Sequence, residues 1–189
     1  MRKIDVFCGS ITDCPTMCIV NSSNTSIGLG SGVSSAIRQA CGGVEFQEEC
    51  RAVLEEQFAD STLPQGEVAV TTGGTSQYRW IFHAATMDFK KSNKTTYAAV
   101  RSCMLNSLKT AERVIEEEGL DDFTIGVPLF GSDTGGLSAE DSCNAICEAM
   151  KAHFKNNRES LISQILIVNK KPDVCNTVKL ILERHFVMR

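Results

Sequence analysis

The stretch NSSNTSIGLGSGVSSAIRQACGG, residues 21–43, begins with two asparagines, Asn21 and Asn24, and continues into a glycine-rich turn. Apolar residues at helical spacing follow the turn: Val33, Ile37, Ala40 and Cys41. A glycine-rich loop before a helix can hold a phosphate through backbone N–H groups. The sequence has no G-K-[ST], and GLGSGV does not satisfy G-x-G-x-x-G. The stretch therefore predicts either a phosphate site of another kind or glycines that only make tight turns.

A second glycine-rich loop lies in the last third of the chain. The apolar stretch FTIGVPLF, residues 123–130, runs into GSDTGGLS, and Ser138 before AEDS suits a helix N-cap. Neither loop contains lysine or arginine, so a phosphate there would be held by backbone N–H groups and helix N-termini. Two such loops facing each other could clasp a pyrophosphate. The sequence has no G-x-S-x-G elbow, which disfavours a serine hydrolase of that design.

Strand-like and helix-like segments alternate along the chain. This alternation predicts a layered α/β fold with a mostly parallel, buried sheet. Ligands bind such sheets at the carboxyl ends of the strands, where both loops are expected. Without repeats or linkers, residues 1–189 are expected to form one domain. The expected strands are residues 3–8, 17–21, 67–72, 79–86, 123–130 and 163–169, and the expected helices are residues 33–41, 44–59, 94–118, 139–154 and 173–186.

The composition, with 42% hydrophobic and 22% charged residues among 189, is that of an ordinary globular protein. The net charge of −4 and the scattered basic residues argue against an extended nucleic-acid surface. No apolar run approaches the roughly 20 residues that span a bilayer. The N-terminus, MRKIDVFCGS, lacks the long apolar core of a signal peptide. We expect an intracellular, cytoplasmic monomer without membrane contact, with a nuclear location left open.

The nine cysteines favour buried thiols over disulfides or a metal site. Their number is odd, and the chain has no secretion signal. Cys14 and Cys18 are four residues apart, as are Cys143 and Cys147, but C-x-x-C and H-x₃₋₅-H are both absent from the sequence. Buried free cysteine behaves as a small hydrophobe. We expect no metal and no cofactor, and we expect His83 to be a hydrogen-bonded core residue.

Four stretches, in order, resemble the macrodomain family, whose members bind ADP-ribose. IVNSSNTSIGLGSGVSSAI, residues 19–37, is similar to the family's IVNAAN…GGGGV..AI segment. LPQGEVAVTTGG and IFHAAT resemble its GxAxxTxG and I-H-A strands, and VPLFGSDTGGLS resembles its second phosphate loop. Four ordered matches are more specific than any single motif. The resemblance implies the macrodomain fold, a three-layer α/β/α sandwich with a central mixed, mostly parallel sheet.

The resemblance also implies which residues bind the ligand. Asn24 matches the asparagine at the ribose next to the scissile bond, and an amide suits vicinal hydroxyls because it both donates and accepts. Asn21 is expected to fix the loop at the strand end. The adenine site is matched by Ser10 and by the backbone N–H of Ile11. The two diphosphate loops are matched by Gly30, Ser31, Gly32 and Val33, and by Gly131, Ser132, Asp133, Thr134, Gly135, Gly136 and Leu137.

Three positions depart from the family pattern. Ser10 replaces the aspartate of GDIT, which costs a charge-assisted hydrogen bond to adenine worth about 1 kcal/mol; Asp13 is an alternative acceptor. Asp133 replaces a glycine, and a carboxylate there repels phosphate unless it points outward or caps the turn. Ser34 replaces the aspartate of one hydrolase branch, so that mechanism cannot operate as normally written.

We expect the protein to bind ADP-ribose, free or protein-linked, and to hydrolyse mono-ADP-ribosyl or O-acetyl-ADP-ribose ester linkages slowly. A water held between the first loop and the substrate's phosphate would attack, with Asn24 as the catalytic residue that orients the ribose. One alternative is a non-catalytic ADP-ribose reader. Another, disfavoured, is a nucleic-acid-binding module that uses Lys90, Lys91 and Lys94 of KKSNK, although such a run is more often a solvated loop.

Overall fold

A six-stranded sheet forms the centre of the computed structural model, which describes residues 2–186. The strands are β1 (Lys3–Cys8), β2 (Cys18–Asn24), β3 (Val68–Thr72), β4 (Trp80–Met87), β5 (Phe123–Pro128) and β6 (Ile162–Asn169). Their order across the sheet is β1-β6-β5-β2-β4-β3. All neighbouring strands are parallel except β3, which pairs antiparallel with β4 at one edge. The prediction of a mixed, mostly parallel sheet is confirmed.

The central strands bury both of their faces. Alternate residues of a strand point to opposite sides of the sheet. In β4, Ile81 and Ala85 therefore enter one apolar cluster, whereas Phe82 and Ala84 enter another. Burial on both sides explains why these strands read as continuous apolar runs rather than as alternating patterns.

Within residues 2–186, five α-helices cover the two faces of the sheet. Ile37 and Phe46, from the first two helices, pack into one apolar cluster. Leu108, Ile146 and Val178, from the last three, pack into the other. The layers are therefore α/β/α, which confirms the predicted sandwich. The helices are α1 (Gly32–Cys41), α2 (Val44–Gln57), α3 (Tyr97–Glu118), α4 (Ala139–Asn156) and α5 (Pro172–Phe186).

Local signals set most helix ends close to where the sequence predicts them. Ser138 caps α4, because its hydroxyl accepts a hydrogen bond from the N–H of Asp141 at 3.0 Å. Gly42 and Gly43, with φ of 121° and 70°, separate α1 from α2. Helix α3 begins three residues later than predicted because Thr96 caps it.

Helix α2 ends at Gln57, two residues before its predicted end. A separate 3-10 turn, Ala59–Ser61, follows, and Phe58, the residue between the two elements, has an extended backbone with φ of −128° and ψ of 135°. That backbone conformation cannot continue an α-helix. None of the described helices is long and apolar enough to cross a bilayer.

Candidate functional site

Both glycine-rich loops lie at the carboxyl edge of the sheet. Strands β2 and β5 are adjacent and parallel, so the chain segments that leave them emerge side by side. The first loop, residues 25–31, connects β2 to α1, and the second loop, residues 129–137, precedes α4. The predicted juxtaposition of the two loops is therefore present in the structure.

Two cavities open between these loops. The Ser10 cavity has a volume of about 270 Å³, and the Asn24 cavity has a volume of about 360 Å³. They form one continuous cleft, because they share five lining residues from the start of α1, the end of β5 and the second loop; we call this shared region the waist. These shared residues are Gly32, Val33, Pro128, Leu129 and Asp133.

The Ser10 cavity is lined by both apolar and polar residues. Ile11 and Val168 are buried and contribute apolar lining. The Ser10 hydroxyl lies 2.9 Å from the Thr12 hydroxyl, so it retains hydrogen-bonding capacity for a further partner. Asp13 is exposed and lies outside the lining of this cavity, so the structure does not bring it into the role of substitute acceptor.

The Asn24 side chain shapes the first loop at the mouth of the other cavity. Its Oδ1 accepts hydrogen bonds from the N–H and hydroxyl of Ser26 and from the N–H of Gly28, at 3.0, 2.8 and 3.2 Å. Its Nδ2 donates to the carbonyl of Gly28 at 3.3 Å. The acceptor oxygen is thus fully engaged, and only the second Nδ2 hydrogen has no partner among residues 2–186. The sequence predicted an amide that would both donate to and accept from a ligand. In this arrangement only an Nδ2 hydrogen remains for a ligand.

A buried network fixes the start of α1 to β2. Ser34 donates from its hydroxyl to the Oδ1 of Asn21 at 2.9 Å and to the carbonyl of Ser22 at 3.3 Å. The Nδ2 of Asn21 lies 3.1 Å from the Nδ1 of His83. Asn21 was expected at the strand end, fixing the loop; it lies inside β2 and fixes the start of α1 instead. Ser34 stands where one hydrolase branch has an aspartate, and its hydroxyl hydrogen is used in this structural contact.

His83 is a core residue, as predicted. Its Nε2 lies 3.0 Å from the hydroxyl of Thr71 and 3.6 Å from the Sγ of Cys50. Complete burial lowers the pKa of His83 to about 3. The imidazole is therefore neutral near pH 7 and holds β2, β3 and α2 together through hydrogen bonds.

Tight backbone packing gives the second loop its shape. Gly131 and Gly136 have φ of 67° and 80°, and the N–H of Leu137 donates to the carbonyl of Gly131 at 3.2 Å. A Cβ on Gly135 would lie 2.6 Å from the Cα of Gly131. The N–H of Thr95 also donates to the carbonyl of Gly135 at 2.9 Å. Gly135, Gly136 and Leu137 therefore hold the shape of the loop, and they do not line either cavity.

The structure brings the other predicted residues to the cleft. Asp133 is exposed, and its Oδ1 lies 3.8 Å from the Nζ of Lys171. Asp133 lines both cavities and Lys171 lines the Ser10 cavity, so the carboxylate stays at the cleft rather than turning away from it, which was the first of the two arrangements expected. The predicted residues that line one or both cavities are Ser10, Ile11, Asn24, Gly30, Ser31, Gly32, Val33, Gly131, Ser132, Asp133 and Thr134.

Sequence reasoning missed part of the lining. Phe89, which is 55% exposed, lines the Asn24 cavity together with Met87 and Asn93. Lys170 and Lys171 line the Ser10 cavity just beyond the end of β6. The strand-end rule makes the residues after the SQILIVN strand candidates, but only the position of β6 beside β5 brings the two lysines to the cleft.

None of the nine cysteines lines either cavity. All nine cysteines are free, and Cys41 and Cys50, expected to be buried rather than nucleophilic, are 2% and 0% exposed. Burial raises the pKa of Cys50 to about 12. The Cys143–Cys147 face packs in the core, as predicted. Within residues 2–186, no group of three or more histidine, cysteine, aspartate or glutamate side chains is placed to hold a metal.

The fold and the two-loop cleft define a particular class of α/β sandwich, and comparison with known sequences identifies it. The family profile described as Macro domain matches residues 20–146. A Macro domain-containing protein of Caldanaerobacter subterraneus is 32% identical over 92% of this chain and 93% of its own length. The chain belongs to the Macro domain family. An uncharacterised protein of Aeropyrum pernix is 27% identical in a match that covers 74% of this chain and 66% of that protein.

Solved structures show the same fold at lower sequence identity. A mutant macrodomain of Oceanobacillus iheyensis, solved with ADPR, has a TM-score of 0.78 and 22% identity, covering 96% of this chain and 91% of its own. The macrodomain of Trypanosoma brucei, solved in complex with ADP-ribose, has a TM-score of 0.76 and 19% identity. That match covers 95% of this chain and 68% of the trypanosomal one.

Proposed function

We propose that this protein binds ADP-ribose, free or attached to a protein, across both cavities. The observation that carries the proposal is the cleft with a waist between two glycine-rich loops. A ligand with a base at one end, a ribose at the other and a diphosphate between them matches that division. Family membership and the ligands of the structurally similar macrodomains support the same assignment.

In this arrangement the adenine occupies the Ser10 cavity and the diphosphate occupies the waist. The first intrahelical bond at the start of α1 runs from the N–H of Ser35 to the carbonyl of Ser31 at 3.2 Å. The N–H groups of Gly32, Val33 and Ser34 precede that bond and have no helical acceptor. Such an N-terminus carries about half a positive elementary charge, which favours an anion.

We further propose slow hydrolysis of mono-ADP-ribosyl or O-acetyl-ADP-ribose ester linkages in the Asn24 cavity. A water at the first loop, oriented by a substrate phosphate, adds its hydroxyl to the carbon of the ester or glycosidic C–O bond, and its proton goes to the departing oxygen. Asn24 positions the ribose through its remaining Nδ2 hydrogen. Positioning of this kind accelerates a reaction without a strong base in the protein.

The alternative is a reader that binds ADP-ribose without cleaving it. One observation favours it: Asp133 is the only ionisable side chain among the described residues that line the Asn24 cavity. Ser34 cannot serve as a free base or nucleophile without breaking its hydrogen bond to Asn21.

An assay on defined substrates separates these two functions. Peptides that carry ADP-ribose on a carboxylate or on a serine, and O-acetyl-ADP-ribose, are incubated with the parent and with Asn24→Ala, and released product is measured by mass spectrometry. If the protein is a hydrolase, the parent releases product faster than buffer alone, and the release rate is about tenfold or more lower in the variant. Binding without release above the buffer rate establishes the reader.

A further inference from the structure

Asp133 places a negative charge beside the position proposed for the diphosphate, which itself carries two negative charges. It lines both cavities and is the only acidic side chain among the described residues that line either one. A carboxylate beside a diphosphate weakens binding through charge repulsion. A compensating feature is therefore needed if the waist is to accept a diphosphate.

Lys171 supplies the nearest positive charge from another part of the fold. Its Nζ lies 3.8 Å from the Oδ1 of Asp133. Its backbone is fixed on both sides: its N–H donates to the Oδ1 of Asn169 at 2.9 Å, and its carbonyl accepts from the N–H of Cys175 at 2.9 Å. The side chain thus extends from a defined turn between β6 and α5 to the second loop.

Resting on the proposed function, we propose that Lys171 is a positioning residue that acts through Asp133. It draws the carboxylate toward the β6–α5 turn and compensates its charge, so that the waist accepts a diphosphate. Lys171 thereby sets the preference of this site for diphosphate-bearing nucleotides over uncharged nucleosides.

The expected effect falls on binding rather than on folding. Both side chains are largely exposed, 68% for Lys171 and 71% for Asp133, and exposed ion pairs contribute little to stability. In a cleft, by contrast, an uncompensated charge acts directly on a charged ligand. Removing the lysine should weaken binding of a diphosphate by about three- to tenfold at low ionic strength, and less as salt screens the charges.

A double-mutant cycle tests the inference. Calorimetric affinities for ADP-ribose, ADP and adenosine are measured for the parent, Lys171→Gln, Asp133→Asn and the double variant. We expect Lys171→Gln to weaken ADP-ribose and ADP but not adenosine, and we expect most of that loss to disappear when Asp133→Asn is also present.

Lys170 provides the matched control. It lines the same cavity, but none of the ion pairs among residues 2–186 includes it. The effect of Lys170→Gln should therefore simply add to that of Asp133→Asn. Thermal unfolding of each variant should stay close to the parent.

Three outcomes would overturn the inference. An equal loss from Lys171→Gln with and without Asp133 means that the lysine does not act through the carboxylate. A similar loss for adenosine means that the effect is not one of charge. If the parent binds neither ADP-ribose nor ADP, the proposed function fails and the inference fails with it, whereas the first two outcomes leave ADP-ribose binding intact.

Discussion

Asn24 contributes to the site in two ways that can be separated by mutation. Its Oδ1 holds three donors of the first loop, and its Nδ2 provides the hydrogen that we assign to the ribose. Alanine removes both contributions. Aspartate keeps acceptor oxygens for the loop, but it removes the donor and places a negative charge near the diphosphate.

We therefore expect different patterns from Asn24→Ala and Asn24→Asp. The alanine variant should lose about 1 kcal/mol of unfolding free energy, because loop hydrogen bonds are lost, and about tenfold or more in ADP-ribose affinity. The aspartate variant should lose at least as much affinity but less stability. Urea unfolding and calorimetric titration measure the two quantities. Parental affinity in both variants would remove Asn24 from the binding site.

His83 gives the fold a dependence on acidic pH. Its pKa in the folded protein, about 3, is below its ordinary value of 6.5, so the folded state favours the neutral ring. This contribution to stability is complete above pH 6.5 and is lost as the pH falls from 6.5 toward 3.

We expect the unfolding free energy to fall by up to about 1.4 kcal/mol per pH unit from this residue alone across that window. His83→Gln can form hydrogen bonds but cannot titrate, so the difference between parent and variant should shrink as the pH decreases. Urea unfolding between pH 4 and pH 8 checks this expectation. A difference that is constant with pH would show that His83 titrates normally in the fold.

At the scale of elements, the second loop depends on close backbone contact at Gly135. A Cβ there would lie 2.6 Å from the Cα of Gly131 and 2.8 Å from its carbonyl oxygen. Both neighbours are backbone atoms, so the whole loop must shift. The part of the loop that lines the cavities would shift with it.

We expect Gly135→Ala to reduce ADP-ribose affinity by about tenfold or more, since the loop no longer matches the diphosphate. Gly119→Ala is the matched control, because Gly119 has a φ of 60° and open space around its Cβ position, far from the cleft. The control should lose about 1 kcal/mol of stability from backbone strain and keep its affinity for ADP-ribose. Equal affinities for the two variants would show that the second loop does not contact the ligand.

The elements were largely predictable because their signals are local. Alternating strand and helix patterns, the Gly42-Gly43 break and the Ser138 cap each depend on a few neighbouring residues, and each matches the structure. The end of α2 was missed because the extended backbone at Phe58 has no strong sequence signature.

The cleft was only partly predictable because strand order is not a local property. The two glycine-rich loops follow β2 and β5, and motif reasoning identified both. Lys171 and Phe89 reach the cleft because β6 lies beside β5 and β4 lies beside β2. Even the strand order would not have shown that Gly135 supports the second loop rather than lining a cavity. That depends on Thr95, which is distant in sequence.

At the scale of the molecule, charge bears on the nucleic-acid alternative. Lys91 pairs with the nearby Asp88, with 3.2 Å between Nζ and Oδ2, within a chain of net charge −4. The same loop lines the Asn24 cavity through Phe89 and Asn93. Nucleic-acid binding stays disfavoured, and a steep fall of affinity with salt would be needed to support it.

We propose that the whole cleft is one ADP-ribose site, and substitutions at Gly30 test this. Gly30 lines the Asn24 cavity, has space for a side chain and has no positive φ. Gly30→Ala and Gly30→Glu should therefore fold alike, and they differ only in whether a bulky carboxylate enters the cavity.

The decisive measurement is calorimetric titration of ADP-ribose into the parent, Gly30→Ala and Gly30→Glu, with unfolding curves to show that all three are folded. If the whole cleft is one ADP-ribose site, the parent and Gly30→Ala bind at micromolar ligand, and Gly30→Glu loses binding. Equal binding by all three proteins, or no binding by the folded parent even at millimolar ligand, would contradict this proposal.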